Sequence, residues 1–259
     1  MRFRITFNRT GKQRMLPIDY QYFLSAWIYK VIGQADREFS SFLHTEGYSS
    51  GYKHFKLFCY SPLNFGRPRL WKEKALFEIQ ADQLFLHVSF RMHEAAEKFI
   101  IGLFNRQQLY LGDRFNGLDL EVTQVERLPE LALMETTNYK AWSPVVVSYK
   151  EENRHTYAQY MPPGADGYEA FLKENLLSKY QSIPNVEPLP ENFAFSLQVH
   201  GVPKSKLITI KPGTPQQSKV RGFVYDFTLT CPVKLHQLLL DCGIGEKNSM
   251  GFGWVEPGD

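Results

Sequence analysis

GIGEKNSMGFG, residues 243–253, decides how the rest of the chain is read. Its glycines fall as Gly-apolar-Gly, five residues, then Gly-apolar-Gly. Glycines so placed call for backbone at positive φ, or for a ligand close to the backbone. The N–H groups of such a loop could hold phosphate oxygens, and Lys247 and Asn248 stand at its tip. The elements on either side restrict the reading. Residues 233–242 have a short helical pattern and 252–256 read as a last strand. A P-loop or a dinucleotide-binding turn runs from strand into helix, the opposite order, so neither fits. On spacing alone, a phosphate-holding loop and a tight helix-to-strand connection capped by its first glycine are equally good readings.

Working back from the loop, Tyr168, Phe171, Leu172, Leu176 and Tyr180 stripe a helix that ends by Pro184. Residues 143–149, 193–200, 206–211 and 222–230 read as strands. The first half has the same order. Residues 2–7 (RFRITF) alternate basic and apolar, the period of a half-buried strand. Leu24, Trp27, Ile28, Val31 and Ile32 mark a helix, and Phe39, Phe42 and Leu43 a second, short one. Residues 55–60 read as a strand, and 75–80 with 84–90 as a hairpin. Residues 93–107 form a helix with Ala96, Phe99, Ile100, Leu103 and Phe104 on one face, and 118–125 a closing strand. Each half therefore follows the β-α-β-β-α-β plan of ferredoxin-like and RRM domains. The expected class is α+β: two tandem ferredoxin-like domains, 1–128 and 129–259, the second carrying the glycine-rich loop. A single larger α+β domain is the alternative. RGFVYDF (221–227) lacks the central residues of an RNP1 motif and reads as a core strand.

The chain has 259 residues, and its net charge of +3 does not announce a nucleic-acid partner. Cys59, Cys231 and Cys242 lie far apart with no C-x-x-C pair. That argues against a disulfide framework or structural zinc and suits a reducing cytoplasm. There is no secretory h-region at the start and no apolar run near the ~20 residues that span a bilayer, so no membrane partner is expected. Local charge is more telling. No Asp or Glu lies between Gly47 and Lys72, where Lys53, Lys56, Arg67 and Arg69 fall, nor between Phe193 and Tyr225, where Lys204, Lys206, Lys211, Lys219 and Arg221 fall. Such local excess, interleaved with aromatics, suits phosphate contact and base stacking. A basic groove between the two halves is the expectation.

GIGEKNSMGFGWV closely resembles the C-terminal glycine-rich loop of the CRISPR-associated repeat-processing endoribonucleases of the Cas-six type, in the repeat-associated mysterious protein (RAMP) superfamily. MRFRITF, IYKVIG, FLHTEG, KLFCYSPL, SPVVV and TIKPG resemble that family in the same order. The resemblance implies two ferredoxin-like domains and cleavage of CRISPR precursor RNA within each repeat, with no metal and no cofactor. The partners it implies are repeat RNA and, in some members, other subunits of an interference complex; monomer and homodimer are both open. Some members lack activity, so a non-catalytic repeat-RNA-binding subunit is the rival reading.

Metal-free RNA cleavage uses the ribose 2′-hydroxyl as nucleophile and leaves a 2′,3′-cyclic phosphate and a 5′-hydroxyl. It needs an acid, a base and positive charge on the phosphorane, and histidine titrates in the right range. Of seven histidines, His87 reads as packed in a strand and His93 as a helix cap, while His155, His200 and His236 have no supporting pattern. His44 lies about 100° off the apolar face of its short helix. The resemblance makes His44 the catalytic histidine, Tyr29 its active-site partner and Lys56 the phosphorane's cation. The segment from 44 to 56 is longer than the family pattern, which leaves Lys53 as substitute for Lys56 and His54 as the second histidine. The expected RNA contacts are Lys53, Arg67, Lys204, Lys206, Lys211, Lys219 and Arg221, with Gly243, Gly245, Lys247, Asn248, Gly251 and Gly253 of the loop.

Overall fold

The computed structural model describes residues 1–149 and 158–258. Alternation in the strand Arg2–Arg9 sends Phe3, Ile5 and Phe7 to one face, where all three are buried. The strand lies at the centre of a five-stranded antiparallel sheet. The order across the sheet is Phe58–Tyr60, Gln83–Phe90, Arg2–Arg9, Gly117–Arg127 and Gln108–Gly112. Two helices, α1 (Gln21–Ala35) and α3 (His93–Asn105), bring Leu24, Ile28, Val31, Phe99 and Leu103 into the same core. Gly102 lets these helices touch: a Cβ there would lie 1.9 Å from the Val31 carbonyl oxygen. The short α2 (Arg37–Thr45) follows α1 directly.

The second sheet has the order Ser196–Ile210, Ser218–Thr230, Thr136–Ala141 and Val255–Pro257, again antiparallel. Helices α4 (Tyr168–Gln181) and α5 (Val233–Cys242) pack Leu172, Leu176, Leu235 and Leu239 against it. Both sheets thus carry the ferredoxin-like strand order, with one added edge strand in the first. The halves are joined at the end of α5. Ser89 Oγ lies 3.0 and 2.9 Å from the carbonyl oxygens of Leu240 and Asp241, groups that a helix C-terminus leaves unpaired. The Asp241 carboxylate meets the Met1 ammonium at 3.1 Å and Arg91 at 3.3 Å. No helix among the described residues is long and apolar enough to cross a membrane.

Several elements differ from the sequence reading. Residues 75–80 and 84–90 form no hairpin. Both edges of Gln83–Phe90 are taken, by Arg2–Arg9 and Phe58–Tyr60, so Leu76–Glu78 pairs instead with Met15–Pro17 and Arg69–Trp71. The expected strand 55–60 breaks at Leu57, at φ 50°; Lys53–Phe55 pairs back on Tyr48–Ser50 and only Phe58–Tyr60 joins the sheet. Phe104 is 72% exposed rather than on the core face of α3. In the second half, the polar Thr136–Ala141 supplies the first sheet strand, while in 143–149 only Ser148–Tyr149 is strand. The strands expected at 193–200 and 206–211 are one strand, Ser196–Ile210, with a register shift between His200 and Lys204.

The α1–α3 contact sets a first prediction. Gly102→Ala drives a methyl into the Val31 backbone, and overpacking of this kind costs about 1–3 kcal/mol. The urea midpoint should fall accordingly, with an unchanged slope.

Candidate active site and RNA interface

Asp36 creates the geometry around Tyr29. Its carboxylate accepts the Phe39 N–H at 2.9 Å and caps α2, which turns α2 back along α1. Ser40 Oγ then donates to the Tyr29 carbonyl at 2.9 Å. This fold-back carries His44, in the last turn of α2, onto the Tyr29 side chain. The two rings meet edge to face, with centroids 5.0 Å apart. Phe58 supports Tyr29 at 5.5 Å. Burial pushes the Tyr29 phenol up to about 12, against a hydrogen bond with the Ser249 side chain. His44 itself is exposed.

Past His44 the chain turns at Gly47, φ 68°, and Lys56 comes back against that turn: a Cβ on Gly47 would lie 3.3 Å from Lys56 Nζ. Partial burial holds the Lys56 ammonium below the usual lysine range, partly offset by Glu46. Lys53 is committed elsewhere, in an ion pair with Glu174 of α4 at 2.5 Å. The structure therefore brings the Tyr29 and His44 rings into contact, places Lys56 against the Gly47 turn that follows His44, and sets Lys53 apart. His54 is exposed on the small hairpin, opposite Ser49.

The glycine-rich loop reaches this site from the second half. Gly243, Gly245, Gly251 and Gly253 all have positive φ and are all buried. At Gly253 a Cβ would lie 1.9 Å from the Ile244 carbonyl oxygen. Asn248 is buried too: its Nδ2 donates to the Ile244 and Phe252 carbonyls, each at 3.0 Å. Beneath the loop lies a group that the sequence reading missed, Lys179 of α4. It is 3% exposed, and its Nζ donates to the carbonyls of Gly243 (2.8 Å) and Gly245 (2.7 Å) and to Asn248 Oδ1 (2.6 Å). Burial pulls its ammonium down, to about 8. The signal was present, since Lys179 falls on the apolar stripe of Leu172, Leu176 and Tyr180. Held this way, the loop presents Ser249, whose carbonyl accepts from Ser25 Oγ of α1 at 2.7 Å. Asn248 and the four glycines are thus engaged inside the protein, and Lys247 is exposed at the tip.

A cleft of about 750 Å³ opens between the halves beside this site, with Lys56 and Phe58 on one wall and Phe171, Asn175, Lys247 and Ser249 on the other. The remaining basic residues are more dispersed than a single groove requires. Cross-strand partners share a face, so Lys204 and Lys206, opposite Val224 and Gly222, lie on one side of the sheet. Lys219 and Arg221, opposite Thr209 and Leu207, lie on the other. Arg221 donates to Ser205 at 2.8 Å, and Lys211, at φ 52°, donates to Gln216 at 2.8 Å. Arg67 is exposed in a loop. Of the other histidines, His87 stacks on Trp254 and meets Glu256 at 3.4 Å. His93 opens α3 without capping it, the N-cap being Met92. His200 lies 2.6 Å from Thr228, and His236 is buried against Tyr139. His155 lies outside the described residues.

Two family profiles match this chain. "CRISPR-associated protein Cas6, N-terminal" covers residues 15–119, and "CRISPR associated protein Cas6, C-terminal" covers residues 127–257. The chain belongs to the Cas6 family. It is 27% identical over 256 residues to the CRISPR-associated endoribonuclease Cas6 1 of Methanocaldococcus jannaschii, spanning 95% of this chain and 89% of that one. It is 27% identical to the CRISPR-associated endoribonuclease Cas6 of Pyrococcus furiosus, spanning 99% and 89%. A solved Cas6-related protein from Pyrococcus furiosus matches with a TM-score of 0.83 at 20% identity, covering 100% of this chain and 98% of that one. A solved RAMP protein that binds different RNA substrates matches with a TM-score of 0.82 at 17% identity, covering both chains fully. At these identities the structural matches establish the shared Cas6 fold.

The buried lysine sets a second prediction. Lys179→Met leaves three buried acceptors without their donor, at roughly 1–3 kcal/mol for each orphaned group. Unfolding free energy from urea titration should drop by about 3 kcal/mol or more. His44→Ala, at an exposed position, should stay within about 0.5 kcal/mol of wild type.

Proposed function

We propose that this Cas6-family protein is a metal-independent endoribonuclease that cuts CRISPR precursor RNA within its repeats. The observation that carries the reading is the contact of the Tyr29 and His44 rings, at 5.0 Å, with Lys56 against the Gly47 turn that follows His44. A ribose 2′-hydroxyl is the nucleophile, so the chemistry asks only for proton transfer and charge stabilisation. His44 moves the proton, as base toward the 2′-oxygen or acid toward the leaving 5′-oxygen. Tyr29 keeps its proton up to about 12, so near neutral pH it orients His44 or the 2′-oxygen and does not act as a base. Lys56 offsets charge on the phosphorane. The products are a 2′,3′-cyclic phosphate and a 5′-hydroxyl end. Lys247 at the loop tip and the exposed Lys204, Lys206, Lys219 and Arg221 hold the RNA backbone. The domains of this reading are 1–128 and 129–259; in support, the strands of the first sheet end at Arg127 and those of the second begin at Thr136.

The test is incubation of the protein with its repeat RNA in excess EDTA, wild type beside His44→Ala. Wild type should cut at one site and leave a 5′-hydroxyl downstream; the variant should be slower by about 10²–10⁴-fold with affinity retained. Equal cutting by both would move the active site elsewhere, to His54 first. Tight binding with no cutting by either would make the protein a non-catalytic repeat-binding subunit. Removing Lys219 or Arg221 should weaken repeat binding and lower the slope of log affinity against log salt by about one. A slope unchanged in both variants would take those residues out of the interface.

A further inference from the structure

The cleft between the halves has features that phosphate binding alone does not require. It adjoins the Tyr29–His44 pair, because Phe58 and Ser249, which line it, also touch the Tyr29 side chain. Its far wall is the face of α4 that carries Phe171 and, one turn later, Asn175. Phe171 is 40% exposed on a helix whose neighbouring Leu172 and Leu176 are fully buried. Tyr149, also in the lining, leans against it at 6.2 Å. An aromatic pair open to a cleft is a platform on which a flat base can stack. Asn175 adds a polar edge. Its side-chain carbonyl oxygen is buried with no hydrogen-bond partner among the described residues. An orphaned acceptor of this kind is destabilising unless something engages it, and an amide offers a donor and an acceptor side by side to the edge of a base. Charge sets the direction of entry. Glu174 is paired with Lys53, the Glu246 carboxylate is turned onto the Ser148 N–H and hydroxyl, and Lys56 and Lys247 line the cleft as cations for phosphates.

We propose that the cleft is a nucleobase subsite, taking the base of one nucleotide next to the cut phosphodiester. Phe171 and Tyr149 stack on the base, Asn175 turns its amide onto the base edge, and Lys56 and Lys247 hold the flanking phosphates. The proposal rests on the endoribonuclease reading for the position of the phosphodiester. It makes Phe171 and Asn175 determinants of which repeat position is cut.

The test pairs protein variants with abasic RNA. Repeat RNA is made uncleavable by a 2′-deoxy group at the cut site, and single abasic nucleotides are placed in turn on either side of it. Wild type should bind one abasic RNA roughly tenfold more weakly, the loss of one stacked base. Phe171→Ala, an exposed substitution, should bind intact RNA with that same loss and be indifferent to the abasic nucleotide. Asn175→Ala should keep the stacking penalty and lose discrimination among bases at that position. If wild type and Phe171→Ala lose equally at every abasic position, the subsite is wrong while the cutting reading stands on its own EDTA assay. If wild type does not bind intact repeat RNA, both fall.

Discussion

A single buried ammonium holds the glycine-rich loop in shape, and the arrangement of both halves around the candidate site depends on it. An unpaired lysine in so enclosed a place would lose its proton rather than remain charged. Lys179 has an acceptor for each of its three donors: the carbonyls of Gly243 and Gly245, and Asn248 Oδ1. The bonds run both ways through Asn248, whose amide nitrogen ties Ile244 to Phe252 across the base of the loop. This explains why glycine stands at 243 and 253. At both, a Cβ would strike the Asn248 amide, 2.6 and 2.7 Å from its Nδ2, and the backbone φ is positive. The loop is thus built inward, around a charge, before it offers anything outward.

That construction has a consequence for the site. α4 and the loop belong to the second half, yet the loop's Ser249 touches Ser25 and Tyr29 of the first. The glycine-rich segment therefore acts as a strut that sets the phenol of Tyr29. Asn248 is buried and Lys247 is exposed at the tip of the loop.

How much of this was legible in the sequence follows from which signals are local. The apolar stripes of α1, α3 and α4 and the alternation of Arg2–Arg9 are local patterns, and they point to the two ferredoxin-like halves. Pairing partners are not local. The Leu76–Glu78 strand reads as one arm of a hairpin until both edges of Gln83–Phe90 prove occupied. Thr136–Ala141 is too polar to read as a strand, yet it gains two neighbours in the sheet. Tyr29, His44 and Lys56 were named from a resemblance. Their placement is beyond sequence spacing because it needs the Asp36 cap, the turn at Gly47 and the break at Leu57, each of which redirects the chain. Lys179 lies on an apolar stripe, where a lysine more often buries its stem and sends its head to water.

The same redirection separates the two candidate lysines. Spacing alone left Lys53 and Lys56 as alternatives within one basic segment. The Tyr48–Phe55 hairpin leans on α4, where Lys53 finds Glu174. A lysine neutralised by a carboxylate at 2.5 Å can offer little of its charge to a phosphorane. Lys56, just past the hairpin and just before the left-handed turn at Leu57, is pressed against Gly47, and Glu46 acts on its charge. Partial burial makes its charge more effective, because a field in a partly desolvated cleft is less screened than one in water. The Tyr48–Phe55 hairpin therefore anchors to the second half through Lys53 and leaves the following lysine against the turn that follows His44.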